Sequence, residues 1–174
     1  LSDELDDYLL ELLEPLQALL LVVEDELAKV FKRLEAMKQP ALPKGMATIL
    51  FQGLEREVCD WGRFNNRKQV GSFAGLCPCE HTSALRRFQG SINKHGNPRL
   101  RRLLIEAVWL LWKFNPTYCR FQRWPQKIDS KNLSKARLKK LVVATARQFA
   151  VDWWRLRTGR ISAEELGLVI KPIS

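Results

Sequence analysis

The sequence predicts a mostly α-helical protein: an N-terminal coiled-coil helix, then a compact helical domain with a helix-hairpin-helix-like turn and a basic loop. Two observations lead to this fold class. Apolar residues recur at helical spacing in the long segments, and no segment shows the apolar–polar alternation of a half-buried strand. The stretch "QPALPKG" (residues 39–45) holds two Pro and one Gly and marks a boundary. The predicted domains are therefore residues 1–38 and 39–174.

The first segment predicts a coiled coil. Its apolar residues alternate at spacings of four and three, which keeps one seam facing a partner helix. The seam residues are Leu9, Leu13, Leu16, Leu20, Val23, Leu27, Val30, Leu34 and Met37. Pro15 has no amide hydrogen, so we expect a kink or a restart of the helix there, with its secure part from about residue 15 to 38. Packing of this helix on its own domain is the alternative to pairing with a second copy.

Further helices are expected in the second domain. Arg99–Phe114 has apolar residues at helical spacing, with Asn97 as a suitable N-cap and Pro98 at the first helical position. The other expected helices are Met46–Val58, Arg67–Leu76, Leu133–Arg157 and a short last helix that begins at a capping box, Ser162–Glu165. Residues 42–50, "LPKGMATIL", resemble a helix-hairpin-helix turn, whose exposed backbone amides grip phosphate. Lys44 stands where the usual pattern has Gly.

The charge of the chain is unevenly distributed. Of the formal net charge of +10, residues 1–38 contribute −6 (ten acids, four bases) and residues 39–174 contribute +16 (nine acids, twenty-five bases). Such a basic block indicates a polyanionic partner, most often nucleic acid. We expect no membrane span, because no apolar run approaches the roughly 20 residues that a spanning helix needs.

The four cysteines do not predict a metal site. Cys77, Cys79 and His81 have a C-x-C-x-H spacing, which differs from that of common zinc modules, so two small thiols in a tight turn are the favoured interpretation. A cysteine nucleophile is not favoured either, since no third group is present to orient His81. The first residues are acidic, unlike the basic start of an export signal. We therefore expect reduced thiols and a cytoplasmic location.

The strongest candidate site is the basic segment from His81 to Arg102, which contains six Arg and Lys residues and no acid. Cations at the start of a helix oppose the helix dipole, and a nearby phosphate would compensate for that cost. The predicted nucleic-acid-binding residues are Arg86, Arg87, Lys94, Arg99, Arg101, Arg102 and, from the turn described above, Lys44. A second basic stretch, Arg120–Lys140, has eight bases and one acid. It is expected to continue the same phosphate-binding surface.

Together, "LPKGM" and "RFNNRKQVGSFAGLCPCEHTSALRRFQGSINKHGNPRLRRLLIEA" resemble one known family. They are similar to the C-terminal transposase domain of the insertion-sequence transposases that pair a RuvC-like DEDD domain with a serine-bearing domain. The resemblance covers about Leu42 to Ala107. It implies DNA transposition or recombination, in which a serine of this domain attacks a DNA phosphodiester. It also implies divalent metal held by the DEDD domain, and in some members a structured bridge RNA and oligomers formed through a coiled coil.

Carried onto this sequence, the family's Ser-Ser-Gly segment falls on Thr82, Ser83 and Ala84, so Ser83 is the candidate nucleophile. Ala84 replaces the family's Gly. No acidic set resembling a DEDD site stands out, so we expect no cofactor in this chain, with magnesium only where a DEDD domain is present. On this expectation the chain binds DNA but does not cleave it alone. The resemblance also implies a prokaryotic cell, with the protein associated with the nucleoid.

Two further classes of function stay open at this point. A non-catalytic nucleic-acid-binding module would show steep salt dependence of binding and would never form a covalent adduct with DNA. A structural oligomerisation protein would form a stable oligomer through residues 1–40 and would have negligible affinity for nucleic acid.

Overall fold

The structure, a computed structural model, describes residues 2–36, 40–83, 86–124 and 134–171. Side chains are described throughout these ranges except at residues 2–11, 35, 80–83, 86–89 and 123. The chain divides into two compact units, Leu1–Pro40 and Ala41–Ser174. Helices dominate, which confirms the prediction of a mostly α-helical protein. Within the ranges described, no helix is both long and apolar enough to cross a membrane.

The first unit is one helix, α1 (Ser2–Ala36), which passes through Pro15 without interruption. Of the two outcomes expected at Pro15, the restart is therefore wrong, and the kink stays a prediction. Proline removes one backbone hydrogen bond, and the strong helix formers on both sides, chiefly Leu and Glu, sustain the helix around that loss. Much of the apolar seam is exposed in the single chain: Leu13, Leu16, Leu20, Val23, Leu27 and Val30. Pairing of this seam with a second copy stays a prediction.

The second unit contains four helices and one hairpin among its described residues. The helices are α2 (Thr48–Val58), α3 (Arg67–Phe73), α4 (Pro98–Phe114) and α5 (Lys135–Arg157). Each overlaps a predicted helix, and α4 has the predicted cap, because the Asn97 side chain accepts hydrogen bonds from the amides of Arg99 and Leu100. Short 3₁₀ turns at Trp61–Arg63 and Cys119–Arg123 connect these elements.

The basic segment is not a loop, as the sequence had predicted, but an antiparallel hairpin. Strand β1 (Pro78–Ser83) pairs with β2 (Arg86–Ile92), with an irregularity in the register between Pro78 and Glu80. The prediction that no strand is present was wrong because it relied on an apolar face alternating with a polar one. Across β1 and β2 the residues are mostly polar or charged, so that alternation is absent from a genuine strand pair.

The predicted last helix is also absent, although its capping box is present. The Ser162 amide donates to the Glu165 carboxylate, and the Glu165 amide donates to the Ser162 hydroxyl. The chain then turns once and stops. Gly167 has a left-handed φ of +69°, its amide donates to the Glu164 carbonyl, and the next amide donates to the Ala163 carbonyl. This pair of bonds is a Schellman ending, which terminates the turn before a helix can form.

The core of the second unit lies between α4 and α5, with α2 against α4 and α3 against α5. Both long helices bury most of the apolar stripes that predicted them: Leu100, Leu104, Ala107 and Leu111 on α4, and Val142, Phe149 and Trp153 on α5. The Phe51 ring of α2 meets the Trp153 ring edge-on, with centroids 6.3 Å apart. The hairpin and the first turn of α4 lie at the edge of this helical core, joined to the end of α3.

One buried carboxylate is fully satisfied within this core. Asp152 of α5 is 0 % exposed and accepts hydrogen bonds from the Tyr118 hydroxyl (2.8 Å) and from Nε and Nη2 of Arg120 (2.6 and 2.7 Å). A buried charge is costly unless it is paired and hydrogen-bonded, and both conditions hold here. Burial and the neighbouring Asp152 carboxylate raise the pKa of Tyr118 well above its usual value.

Candidate nucleic-acid interface

The hairpin brings the candidate nucleophile beside two predicted phosphate-binding residues. The backbone of Ser83 pairs with that of Arg86, and Thr82 pairs with Arg87. Ala84 lies outside the described residues, as do the side chains of the other four. The backbone register therefore places the hydroxyl-bearing residue and both arginines at the same end of the hairpin.

Two backbone hydrogen bonds join the segment after the hairpin to the end of α3: the Lys94 amide donates to the Gly75 carbonyl (3.2 Å), and the Asn97 amide donates to the Phe73 carbonyl (2.7 Å). The base of the hairpin itself is closed by the Asn93 amide, which donates to the Cys77 carbonyl (2.8 Å). Lys94 is exposed and has a φ of +58°, a left-handed conformation that costs a non-glycine residue about 1–2 kcal/mol. The bonds on either side of Lys94 hold it there.

The first turn of α4 presents cations to solvent. The Arg99 side chain is 84 % exposed, and its guanidinium is 4.0 Å from the Glu57 carboxylate. Arg102 is exposed and forms no hydrogen bond or ion pair with a described residue. The first turn contains no acidic residue, so the positive end of the helix dipole and these cations add to one another. The result is a site where an anion would be favoured.

Arg101 is directed elsewhere. Its Nη1 donates to the Ala74 carbonyl (3.2 Å), at the end of α3, and lies 3.4 Å from the Lys94 carbonyl. The side chain therefore ties α4 to the end of α3 and to the base of the hairpin. Arg101 therefore stabilises the surface on which Arg99 and Arg102 are exposed.

The structure also shows a groove that the sequence did not predict. It has a volume of about 530 Å³ and is lined by Arg63, Phe64, Gln69, Ser72, Phe73, His95, Gly96 and Asn97. The Arg63 guanidinium stacks 4.4 Å from the centroid of the Phe73 ring. The groove joins a loop, α3 and the start of α4, which are separated by some thirty residues, so no local motif could reveal it.

Lys44 does not join this cluster. Gly45 packs against the Leu110 carbonyl and the Phe114 side chain, near the end of α4, whereas Arg99 lies at its beginning. At 1.5 Å per residue, these two ends are separated by roughly 20 Å. The amides of Lys44 and Met46 donate to the carbonyls of Val169 and Pro43, respectively. Two amides of the helix-hairpin-helix-like turn are thus already used within the fold.

The described residues include no group of three or more His, Cys, Asp or Glu side chains placed to hold a metal ion. The His81 side chain, one of the ligands considered above, lies outside them. The described polar side chains around the start of α4 are mainly cations and amides, with the Glu57 carboxylate beside Asn97 and Arg99. Their chemistry is suited to binding phosphate rather than to holding a cation.

The chain is similar to known proteins over much of its second unit. Residues 43–122 match the model of the family described as "Transposase IS116/IS110/IS902 family". The chain is 31% identical over 129 residues to "Putative transposase y4rJ" of Sinorhizobium fredii, which covers 74% of this chain and 30% of that protein. It is 32% identical over 90 residues to "Putative transposase y4qE" of the same organism, covering 52% of this chain and 20% of that protein.

The chain thus spans less than a third of the length of these two relatives. No solved structure matches it. The matched segment includes α2, α3, the hairpin and α4, and it ends before α5 begins.

Proposed function

We propose that residues 43–122, which match the family described as "Transposase IS116/IS110/IS902 family", form a transposase domain, and that this chain binds DNA and contributes Ser83 to strand exchange. The observation that carries the proposal is the cationic surface at the start of α4. Arg99 and Arg102 are exposed there, without an acid in the first turn, beside a hairpin whose backbone pairs Ser83 with Arg86. Phosphate contacts of this kind position a protein on DNA without reading its sequence.

In the proposed reaction, the Ser83 hydroxyl oxygen attacks a DNA phosphorus and forms a phosphoserine ester. The bond from phosphorus to one deoxyribose oxygen breaks, and that oxygen takes up a proton as the serine loses one. Arginines at the same end of the hairpin would stabilise the added negative charge of the crowded phosphate. The proposed reaction also requires magnesium, which a DEDD domain elsewhere in a complete transposase would hold.

Two assembly features complete the proposal. The exposed apolar seam of α1 pairs with a second copy of the chain, since an apolar seam of this length is stabilised by removal from water. A structured guide RNA is a second polyanion that the basic surface would accept, because phosphate contacts do not distinguish RNA from DNA by themselves.

The binding part of the proposal is tested by exchanging cations for neutral residues of similar size. Arg99→Gln with Arg102→Gln should weaken binding to duplex DNA. The slope of log K against log salt should become less steep by about 2, because each lost phosphate contact reduces that slope by about 0.9. A matched control is Lys113→Gln with Lys171→Gln, which removes the same charge at exposed positions elsewhere in the second unit. Equal weakening by both pairs would show that only net charge matters and would contradict the assigned surface.

The catalytic part is tested by covalent trapping on nicked DNA with magnesium, using this chain with a DEDD domain supplied as a separate polypeptide. An adduct that forms with the wild-type chain and with Thr82→Ala, and that disappears with Ser83→Ala, is the expected result. Thr82→Ala is the matched control because it removes the neighbouring hydroxyl. Salt-sensitive binding without any adduct would instead identify a non-catalytic nucleic-acid-binding module.

A further inference from the structure

The beginning of α5 has a strongly cationic surface that lies outside the segment matched to the transposase family. Residues 134–148 contain five Lys and Arg residues and no acid. Arg137 and Lys140 are exposed, Arg147 is half-buried, and the exposed Ala144 lies between them along the helix. Spacings of three, four and three put these four residues on one face of the helix, over about 15 Å. We call this face the α5 stripe.

Nothing in the described part of the fold neutralises the α5 stripe. The one acid of α5, Asp152, is buried and already paired with Arg120 and Tyr118, so it presents no charge to solvent. The cations of the stripe form no ion pair with a described residue. An ordinary solvated face mixes both signs of charge, and this one does not.

The local electrostatics also disfavour this arrangement unless an outside anion is present. The first turn of α5 contains Lys135 and Arg137 and no acid, so both cations lie at the positive end of the helix dipole. A polyanion bound to the stripe would offset this cost at Arg137, the stripe residue in the first turn.

The α5 stripe leads to the base of the hairpin. A side chain at Gly71 would come within 3.4 Å of the Arg147 guanidinium and 3.3 Å of the Cys77 thiol, so these two groups flank the same glycine of α3. Cys77 directly precedes β1. One end of the stripe, at Arg147, therefore lies beside the base of the hairpin, and the stripe extends from there along residues outside the family-matched segment.

We propose that the α5 stripe binds the phosphodiester backbone of a nucleic-acid strand that continues from the hairpin. This inference rests on the proposed function, because it extends the same binding surface. A length of 15 Å covers about four phosphates of one strand, at 3.4 Å of helix axis per phosphate. Ala144, the small residue within the stripe, leaves room for a sugar–phosphate backbone to approach the helix. The contacts are to phosphate, so the stripe supplies affinity and register rather than sequence recognition.

The test inserts charge at Ala144, an exposed position where the helix itself should tolerate either change. In the whole chain, Ala144→Lys should make the salt slope of duplex DNA binding steeper by about 0.9, and Ala144→Glu should weaken binding about tenfold. Ala144→Gln is the neutral control and should bind like the wild-type chain. The same variants are also tested with single-stranded RNA, for which the slope of log K against log salt changes by about 0.7 per phosphate contact. The nucleic acid whose binding responds to the Ala144 variants is the one that occupies the stripe.

A second variant removes the charge of the stripe: Arg137→Gln, Lys140→Gln and Arg147→Gln together, compared with Lys113→Gln, Arg160→Gln and Lys171→Gln. The first triple should make the slope less steep by 2–3, and the control triple should leave it unchanged. Tryptophan emission and urea midpoints show whether each variant folds, because all six tryptophans belong to the second unit.

The outcomes separate the two proposals. If Arg99→Gln with Arg102→Gln weakens binding while every Ala144 variant and the stripe triple bind like the wild-type chain, the α5 stripe is refuted and the proposed function stands. If the wild-type chain binds neither DNA nor RNA with a salt dependence, both are refuted. Binding of the stripe only to an acidic protein or to anionic vesicles would overturn the inference in favour of that partner.

Discussion

Gly96 should be indispensable to the support of the candidate interface. It lies between the base of the hairpin and the cap of α4, directly against the end of α3. A β-carbon added there would be 2.6 Å from the Ser72 carbonyl oxygen and still closer to the Phe73 carbonyl oxygen and the Gly75 amide nitrogen. All three are backbone atoms, so relief requires the segment to move away from α3. Gly96→Ala is therefore expected to disturb the surface as well as the stability.

The size of the effect follows from these contacts. Overpacking that forces a backbone shift costs about 1–3 kcal/mol. Separating the segment from α3 also endangers the Asn97–Phe73 backbone hydrogen bond, which contributes about 1 kcal/mol. The expected loss in the free energy of unfolding for Gly96→Ala is thus about 2–4 kcal/mol.

Two other glycines serve as controls that separate steric conflict from backbone strain. Gly159 has a φ of +69° and open space around it, so Gly159→Ala should cost only the left-handed strain of about 1–2 kcal/mol. Gly90 has a conventional φ and would place a β-carbon 3.5 Å from the Cys79 carbonyl oxygen, an ordinary contact, so Gly90→Ala should change stability by less than about 0.5 kcal/mol. Urea unfolding followed by tryptophan emission measures all three. A Gly96→Ala variant as stable as Gly90→Ala would refute the close packing described here.

Three further predictions concern pH, capping and assembly. Because burial and the Asp152 carboxylate raise the pKa of Tyr118, the folded state holds the phenol proton more tightly than the unfolded state does. The corresponding stability is present below a pH of about 10 and is lost as the pH rises further, so unfolding curves of Tyr118→Phe should depend less on pH there than those of the wild-type chain. Asn97→Ala removes a helix cap and a hydrogen bond to a carboxylate, which should lower the free energy of unfolding by about 1–3 kcal/mol in urea titrations. Leu20→Glu with Leu27→Glu should convert an oligomer to a monomer in sedimentation experiments without changing tryptophan emission; an unchanged mass would exclude the α1 seam as the pairing surface.

The sequence predicted the long helices closely, because α4 and α5 each have a regular apolar stripe and α4 also has a recognisable cap. It failed at the hairpin, whose few apolar residues do not alternate with polar ones. It also failed at the last predicted helix, because the sequence showed the start signal of Ser162–Glu165 while Gly167 ends the turn at once.

The candidate site was predictable in its charge but not in its geometry. The acid-free run of cations identified the surface around α4. Only the fold shows that the Arg101 guanidinium donates to a carbonyl of α3, that Lys44 lies at the far end of α4, and that Arg63 stacks on Phe73. These relations depend on contacts between residues far apart in the sequence, which neither periodicity nor local motifs encode.

The most direct test of the central claim is the salt dependence of duplex DNA binding by the wild-type chain. If Lys94, Arg99 and Arg102 each neutralise a phosphate, log K should fall against log salt with a slope of about −2.7 or steeper. A slope near zero, or no measurable binding at low salt, would contradict the account of this surface as a nucleic-acid interface.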